Sequence, residues 1–346
     1  MMLTLHWLGR SQLFCKACFQ TRVQPSVGPQ ILFRRPPAWA GKLKTVKTRH
    51  FHTPVAEAAE IFSPQNVTVK HFCKLRTDPQ HRRVSQTVVL VGADIIEEVT
   101  LHPRPESPIK VHTLLHRNGF QPPPGCRADR VATVTSDVIE KIVGLRTSDG
   151  VQVVAEVDQP QYVSLTNRPS KSLQRLLVLE RLQDPGNLGT LLRTAVALGW
   201  DACFLLPGCC DPFNDKALKA GRGAAFKLPM AQGAWPDLKE VVRMHEMQCY
   251  GASPDKSEAD TDRHTYSEPA SITQPPEAAS YPLCIILGSE GQGLSKTAAA
   301  ASRPLAIPMS GAMESLNVSQ AGAILMFALG GRTLELYKQV GMNLQQ

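Results

Sequence analysis

LERLQDPGNLGTLLRTAVALGW, Leu179–Trp200, is the stretch on which the reading of this chain turns. It overlaps an apolar run, Arg175–Leu179 (RLLVL), that predicts a strand covered on both faces. Asp184-Pro185-Gly186 forms a turn, Asn187 can cap a helix, and Gly199 is placed to end it. Leu188, Leu191, Leu192 and Ala195 recur at helical spacing and predict a core-facing stripe, with Arg193 a turn and a half beyond the cap. Strand, tight turn and amphipathic helix in that order are the repeating unit of a parallel α/β sheet. Taken alone, the stretch is equally an ordinary helix carrying a solvated Arg193.

The same arrangement recurs twice downstream. Leu287–Leu294 (LGSEGQGL) follows the buried strand candidate Cys284–Leu287, and Gly288, Gly291 and Gly293 let a backbone approach a ligand closely. The loop matches neither the dinucleotide pattern GxGxxG nor a phosphate loop ending in GK[ST]. Ile307–Ser319 (IPMSGAMESLNVS) follows the strand candidate Pro304–Ile307, and Ser315 or Asn317 caps the apolar run VSQAGAILMFAL. Exposed amides at such a helix start suit an anion or carboxylate. Ala202–Leu206 and Ala225–Leu228 are further strand candidates. Residues 252–280, rich in Ser, Asp, Glu and Pro, are expected to be a disordered surface insertion within a domain spanning 174–335, and 336–346 a tail.

Upstream, residues 83–157 are expected to form a small α/β domain. Its elements are strands in Ser85–Val91, Val111–Leu115 and Val151–Val157, helices in Asp94–Val99 and Val138–Ile142, and a proline-rich turn at Gln121–Gly125. Residues 50–75 have weak periodicity and read as a linker or short helices, with 50–82 taken as a linker and the polar stretch 158–173 as another.

Charge needs dissection before use. The chain is +8 overall, but residues 1–49 hold nine Lys or Arg and no acid, which leaves 29 basic and 30 acidic residues beyond them, a net −1. The basic character therefore belongs to the leader, whose acid-free, Arg-containing composition predicts an organelle transit peptide rather than a secretory signal, a disordered basic arm contacting RNA phosphates being the alternative. Any RNA surface on the rest must be a local patch. Aromatic content of 6% argues against a binder built on many stacking platforms. No run of eighteen apolar residues is present, so no helical membrane span is expected. Of nine cysteines, Cys15 and Cys18 have CxxC spacing without a second pair, Cys209 and Cys210 are adjacent, and Cys203 and Cys284 lie in apolar runs. Reduced thiols and no metal site are expected.

Together, NLGTLLRTA, LGSEGQGLS and IPMSGAMESLNVSQA resemble, in order and spacing, the three signature motifs of the SpoU branch of the SPOUT RNA methyltransferases. The resemblance covers residues 175–335, and the unit before it resembles, more weakly, a ribosomal-protein-like RNA-binding domain. It implies an α/β fold whose C-terminal parallel sheet carries a deep trefoil knot, with S-adenosylmethionine bent inside it. On the matching positions, Gly288, Ile307 and Leu316 contact the cofactor through the backbone, with Pro207 and Met309 beside it. Arg193, Glu290, Asn317, Asn187 and Ser315 are the polar active-site positions. It further implies ribose 2′-O-methylation of RNA, a homodimer, and no metal. With the leader, the expected substrate is a guanosine of mitochondrial large-subunit rRNA, free or in a pre-ribosomal particle, in the matrix. A tRNA substrate, or an assembly factor whose catalysis is dispensable, are the alternatives.

Overall fold

In the computed structural model, residues 59–101, 108–144, 150–169, 173–253, 270–271, 281–310, 312–313 and 315–330 are described, all within one compact unit. The leader 1–49 and the tail 336–346 lie outside the described residues. The first half runs β1 (Ala59–Ile61), α1 (Val67–Thr77), α2 (Pro79–Ser85), β2 (Thr87–Val91), α3 (Ala93–Leu101), β3 (Val111–Arg117), β4 (Ala128–Val134), α4 (Ser136–Val143) and β5 (Val153–Asp158). The strands form a mixed sheet in the order β1-β4-β3-β5-β2, with β4 parallel to β1 and β3, and β5 antiparallel to β3 and β2.

The supposed linker 50–82 is corrected by this arrangement: from Ala59 onward it is part of the domain. Asn66 caps α1 by accepting from the Thr68 amide at 2.8 Å. Asp78 ends α1 and caps α2, accepting from the amides of Gln80 and His81, with Pro79 at the first helical position. On α1 only Val69, Phe72 and Leu75 are buried, against Val138, Ile139, Ile142 and Val143 of α4. That stripe is one residue wide and flanked by Lys70, Lys74 and Arg76, so its periodicity is weak in the sequence. Strand β4, not anticipated, carries the exposed pair Asp129-Arg130 near its start and buries only Ala132 and Val134.

The second half runs β6 (Arg175–Leu179), α5 (Pro185–Ala197), β7 (Ala202–Leu205), α6 (Asp215–Gly221), α7 (Ala224–Lys227), β8 (Met230–Gln232), α8 (Trp235–Met244), β9 (Gln248–Ala252), β10 (Ala270–Ser271), β11 (Leu283–Leu287), α9 (Lys296–Ala301), β12 (Arg303–Ala306) and α10 (Val318–Ala328). Its seven strands lie in the order β10-β12-β9-β11-β6-β7-β8, all paired in parallel. Strands β6 and β11 are buried at every residue and form the centre.

Three expectations change here. Residues 225–228 are not a strand: Gly223, at φ +79°, starts α7, whose Ala224, Ala225 and Phe226 are buried. The strand follows after Pro229, at Met230–Gln232. Strand β9 had been missed. Within 252–280, expected to be a disordered insertion, β10 pairs with β12, while 254–269 and 272–280 lie outside the described residues. The connector after Asp158 is coil as expected, but it is tied down. The Val163 amide donates to the Met230 carbonyl at 2.8 Å, and Leu165 is buried.

Helices α5 and α6 meet backbone to backbone. A Cβ on Gly189 would lie 2.2 Å from the Ala217 carbonyl oxygen and 2.8 Å from the Gly221 nitrogen. Gly189→Ala should therefore lower stability by about 1–3 kcal/mol through overpacking. Thermal melting checks this, and an unchanged melting temperature would mean that the two backbones do not touch. Helix α10 returns to the sheet centre, where a Cβ on Gly322 would collide with Leu191 of α5 and Leu287 of β11. Among the described residues no helix is long and apolar enough to cross a membrane.

Candidate active site

The loops that follow β6, β7, β11 and β12 all leave the carboxyl ends of parallel strands, the edge at which open α/β sheets bind ligands. After β6, Asp184 rather than Asn187 caps α5. Its carboxylate accepts from the Asn187 amide at 2.8 Å, and Pro185 occupies the first helical position, where it needs no N–H. Asn187 is thereby moved to the third helical position, and its own side chain is released. The Asn187 Nδ2 donates to Glu290 Oε1 of the loop after β11 in a close contact. Two residues 103 apart in sequence are thus joined.

Further along α5, Leu188, Leu191, Leu192 and Ala195 are buried, as the spacing predicted, and Arg193 is exposed on the other side. Among the described residues nothing hydrogen-bonds to its guanidinium, and no hydrogen bond links it to Asn187, Glu290, Ser315 or Asn317. Leu198 ends the helix and Gly199 follows at φ +69°.

The glycine-rich loop folds back on itself. The Gly293 amide donates to the Ser289 carbonyl at 2.9 Å, and a Cβ on the buried Gly288 would lie 2.2 Å from the Gly293 carbonyl oxygen. Ser289 Oγ is buried without a hydrogen-bond partner.

In the third segment Asn317 is the cap of α10, with Oδ1 accepting from the Ser319 amide at 2.8 Å and from its hydroxyl at 2.6 Å. Ser315 is exposed beside it. Ile307 packs against the core, Met309 is half-buried, and Leu316 and Pro207 are exposed.

Sequence reading missed two residues at this edge, Glu180 and Arg181. Glu180 is 3% exposed at the end of a fully buried strand, and accepts from Ser295 and from Trp235 Nε1. A lone acid closing the run RLLVL was the available signal, since an acid is rarely buried unless paired. Arg181 donates from Nη1 to Gln292 Oε1 at 3.0 Å and from Nη2 to the Gly293 carbonyl at 3.3 Å.

The thiols near the site are passive. Cys209 donates to the Leu179 carbonyl at 3.2 Å, and burial raises its pKa; burial pushes the Cys210 thiol up to about 12. Among the described residues no group of three or more His, Cys, Asp or Glu is placed to hold a metal. A cavity of about 420 Å³ between the start of α3 and Lys219 and Arg222 lies elsewhere, and no motif residue lines it.

Residues 174–327 match the SpoU rRNA Methylase family. The chain is 29% identical, over 79% of its length and 99% of the relative's, to the 23S rRNA (guanosine(2553)-2′-O)-methyltransferase RlmP of Bacillus subtilis. It is 28% identical to the human mitochondrial rRNA methyltransferase 3, over 49% of this chain and 50% of that one. Its fold is that of the AdoMet-bound rRNA methyltransferase from Sinorhizobium meliloti, with a TM-score of 0.65, 24% identity, and coverage of 81% of this chain and 99% of that one.

Proposed function

We propose that the chain, whose residues 174–327 match the SpoU rRNA Methylase family, is an RNA ribose 2′-O-methyltransferase that uses S-adenosylmethionine. The observation that carries this reading is the joining of Asn187 to Glu290, which brings two of the three motif loops together at the carboxyl edge of the parallel sheet. The residues fit the cofactor. Gly288, Ile307 and Leu316 offer backbone groups on adjacent loops, Pro207 and Met309 offer apolar surface, and the orphaned Ser289 Oγ has a hydrogen bond to give. Bound there, S-adenosylmethionine supplies a methyl group activated on a sulfonium.

The chain's own residues must then position a ribose hydroxyl and ease the loss of its proton. A guanidinium with a pKa above about 12 stays protonated, so Arg193 serves as the electrostatic partner of a backbone phosphate or of the developing alkoxide. The proton passes to an RNA phosphate or to water. Glu290 holds the Asn187 amide in one orientation, and Asn317 and Ser315 line the start of α10.

The substrate is a guanosine of large-subunit rRNA in the mitochondrial matrix, free or within a pre-ribosomal particle. RlmP supports the base, and the mitochondrial relatives together with the acid-free leader support the compartment. A homodimer fits α10, where Leu325 and Met326 are buried while Ile324 and Phe327 are 41% and 49% exposed. A deep trefoil knot fits the path from β12, on one side of β9, back to α10 at the sheet centre. The upstream mixed sheet would be the RNA-binding domain.

The test is transfer of label from S-adenosylmethionine to mitochondrial total RNA by the full chain, with 2′-O-methyl sites mapped at nucleotide resolution. The expected result is label at one large-subunit rRNA guanosine. Label in tRNA would overturn the substrate. Label on immature large subunits alone would identify the particle as substrate, and RNA binding without any label would favour an assembly factor.

A further inference from the structure

Glu180 and Arg181 follow β6 directly, and each holds a different point of the loop after β11. Glu180 Oε2 accepts from the Ser295 amide at 2.9 Å and Oε1 from the Ser295 hydroxyl at 2.7 Å, while Trp235 Nε1 donates to Oε1 at 3.2 Å. Ser295 is the cap of α9, its hydroxyl also receiving the Ala298 amide, so Glu180 fixes the place where the glycine-rich loop ends and helix begins. Arg181 reaches the same loop two residues earlier, at Gln292 and Gly293. Asn187 holds it at Glu290. The segment Gly288–Ser295 is therefore pinned at three successive points by one eight-residue stretch of chain, Glu180–Asn187.

Arg181 carries costs that ordinary packing does not explain. Its backbone sits at φ +52°, a region that disfavours a side chain with a Cβ, and its Nε is buried without a hydrogen-bond partner. It also touches a third loop, since a Cβ on Gly208 would lie 2.9 Å from Arg181 Cγ. Gly208 follows Pro207, on the turn after β7. Strain that persists where several loops converge is characteristic of a residue held for geometry rather than stability.

We propose that Glu180 and Arg181 are positioning residues for methyl transfer, setting the glycine-rich loop and the Pro207–Gly208 turn at the spacing that S-adenosylmethionine requires. This rests on the methyltransferase reading. Neither residue reaches the reacting atoms. Their effect falls on cofactor affinity, because the loop they hold offers its backbone to the cofactor and not to RNA.

The experiment compares wild type, Arg181→Met and Arg181→Lys as full chains. Calorimetry gives the Kd for S-adenosylmethionine, steady-state kinetics give KM for each substrate and kcat, and melting gives Tm. Arg181→Met keeps the side-chain stem and removes both loop contacts. The expected result is a rise of about tenfold in cofactor Kd and KM, with kcat at saturating cofactor and KM for RNA within about threefold of wild type. Arg181→Lys should recover part of the affinity through its single ammonium. If Arg181→Met does not fold, Glu180→Gln is the second variant. There an amide NH₂ or a single carbonyl must face the Ser295 amide and hydroxyl that the carboxylate accepted together, and the same split is expected. Unchanged cofactor affinity, or a fall in kcat with KM unaltered, overturns the proposal. A wild-type chain that binds cofactor but labels no RNA overturns the substrate reading alone, since the calorimetric comparison still stands.

Discussion

Arg193→Lys should lower methyl transfer by about 100-fold or more while leaving the melting temperature within about 2 °C of wild type. Arg193 projects from the exposed side of α5, opposite the buried Leu188, Leu191, Leu192 and Ala195, and among the described residues it has no hydrogen-bond partner. Its removal therefore breaks no contact that supports the fold. Its value lies in what arrives: a phosphate or a developing alkoxide on RNA, which a planar guanidinium engages through two parallel donors and an ammonium through one. Such an interaction strengthens as charge develops, so the loss belongs in kcat rather than in KM for S-adenosylmethionine. Steady-state kinetics on Arg193→Lys and Arg193→Ala, each with a melting curve, check this. Near-normal turnover in the lysine variant would refute the role. A parallel loss of Tm would mean that α5 had been disturbed instead.

Strands β6, β7 and β11 were legible because burial on both faces forces continuous apolar runs, and α5 because its buried positions keep a strict helical spacing. The elements that escaped break one of those rules. Helix α1 buries a stripe only one residue wide, β4 carries Asp129-Arg130 near its start, and β9 (QCYGA) has a glycine where a Cβ would strike Ser302 and Leu294. Residues 225–228 look like a strand because a four-residue helix buried on three positions has no visible period. At the site, motif spacing located Asn187 and Glu290 but not their contact, which depends on Asp184 taking the cap. Glu180 and Arg181 were passed over because their partners, Ser295, Gln292 and Gly293, lie more than a hundred residues on. Long-range polar pairing leaves no periodic trace.

Asp211→Ala should destabilise the chain by about 3 kcal/mol, lowering Tm by about 6–12 °C. The partner is Arg82, whose side chain is 2% exposed against 23% for Asp211. Arg82 Nε donates to Asp211 Oδ2 at 3.1 Å, Nη2 donates to the same oxygen, and Nη1 donates to the Leu75 carbonyl at 2.7 Å. Removing the carboxylate leaves a buried cation with only carbonyl partners, which costs more than the pair contributes net. The Phe213 amide, which donates to Asp211 Oδ1 at 2.8 Å, loses its acceptor as well. Because the penalty arises from the stranded charge, taking out both partners should cost less than taking out one. Arg82→Met combined with Asp211→Ala should melt above Asp211→Ala alone, by about 1 kcal/mol or more. Simple additivity of the two single changes in a melting series would sink this account. The pair joins the α1–α2 junction to the turn after β7, four residues past Pro207. The same contact therefore sets where the upstream sheet sits against the Pro207–Gly208 turn. A variant lacking both partners, stable yet slow on long RNA and normal in cofactor affinity, would separate that geometric role from the energetic one.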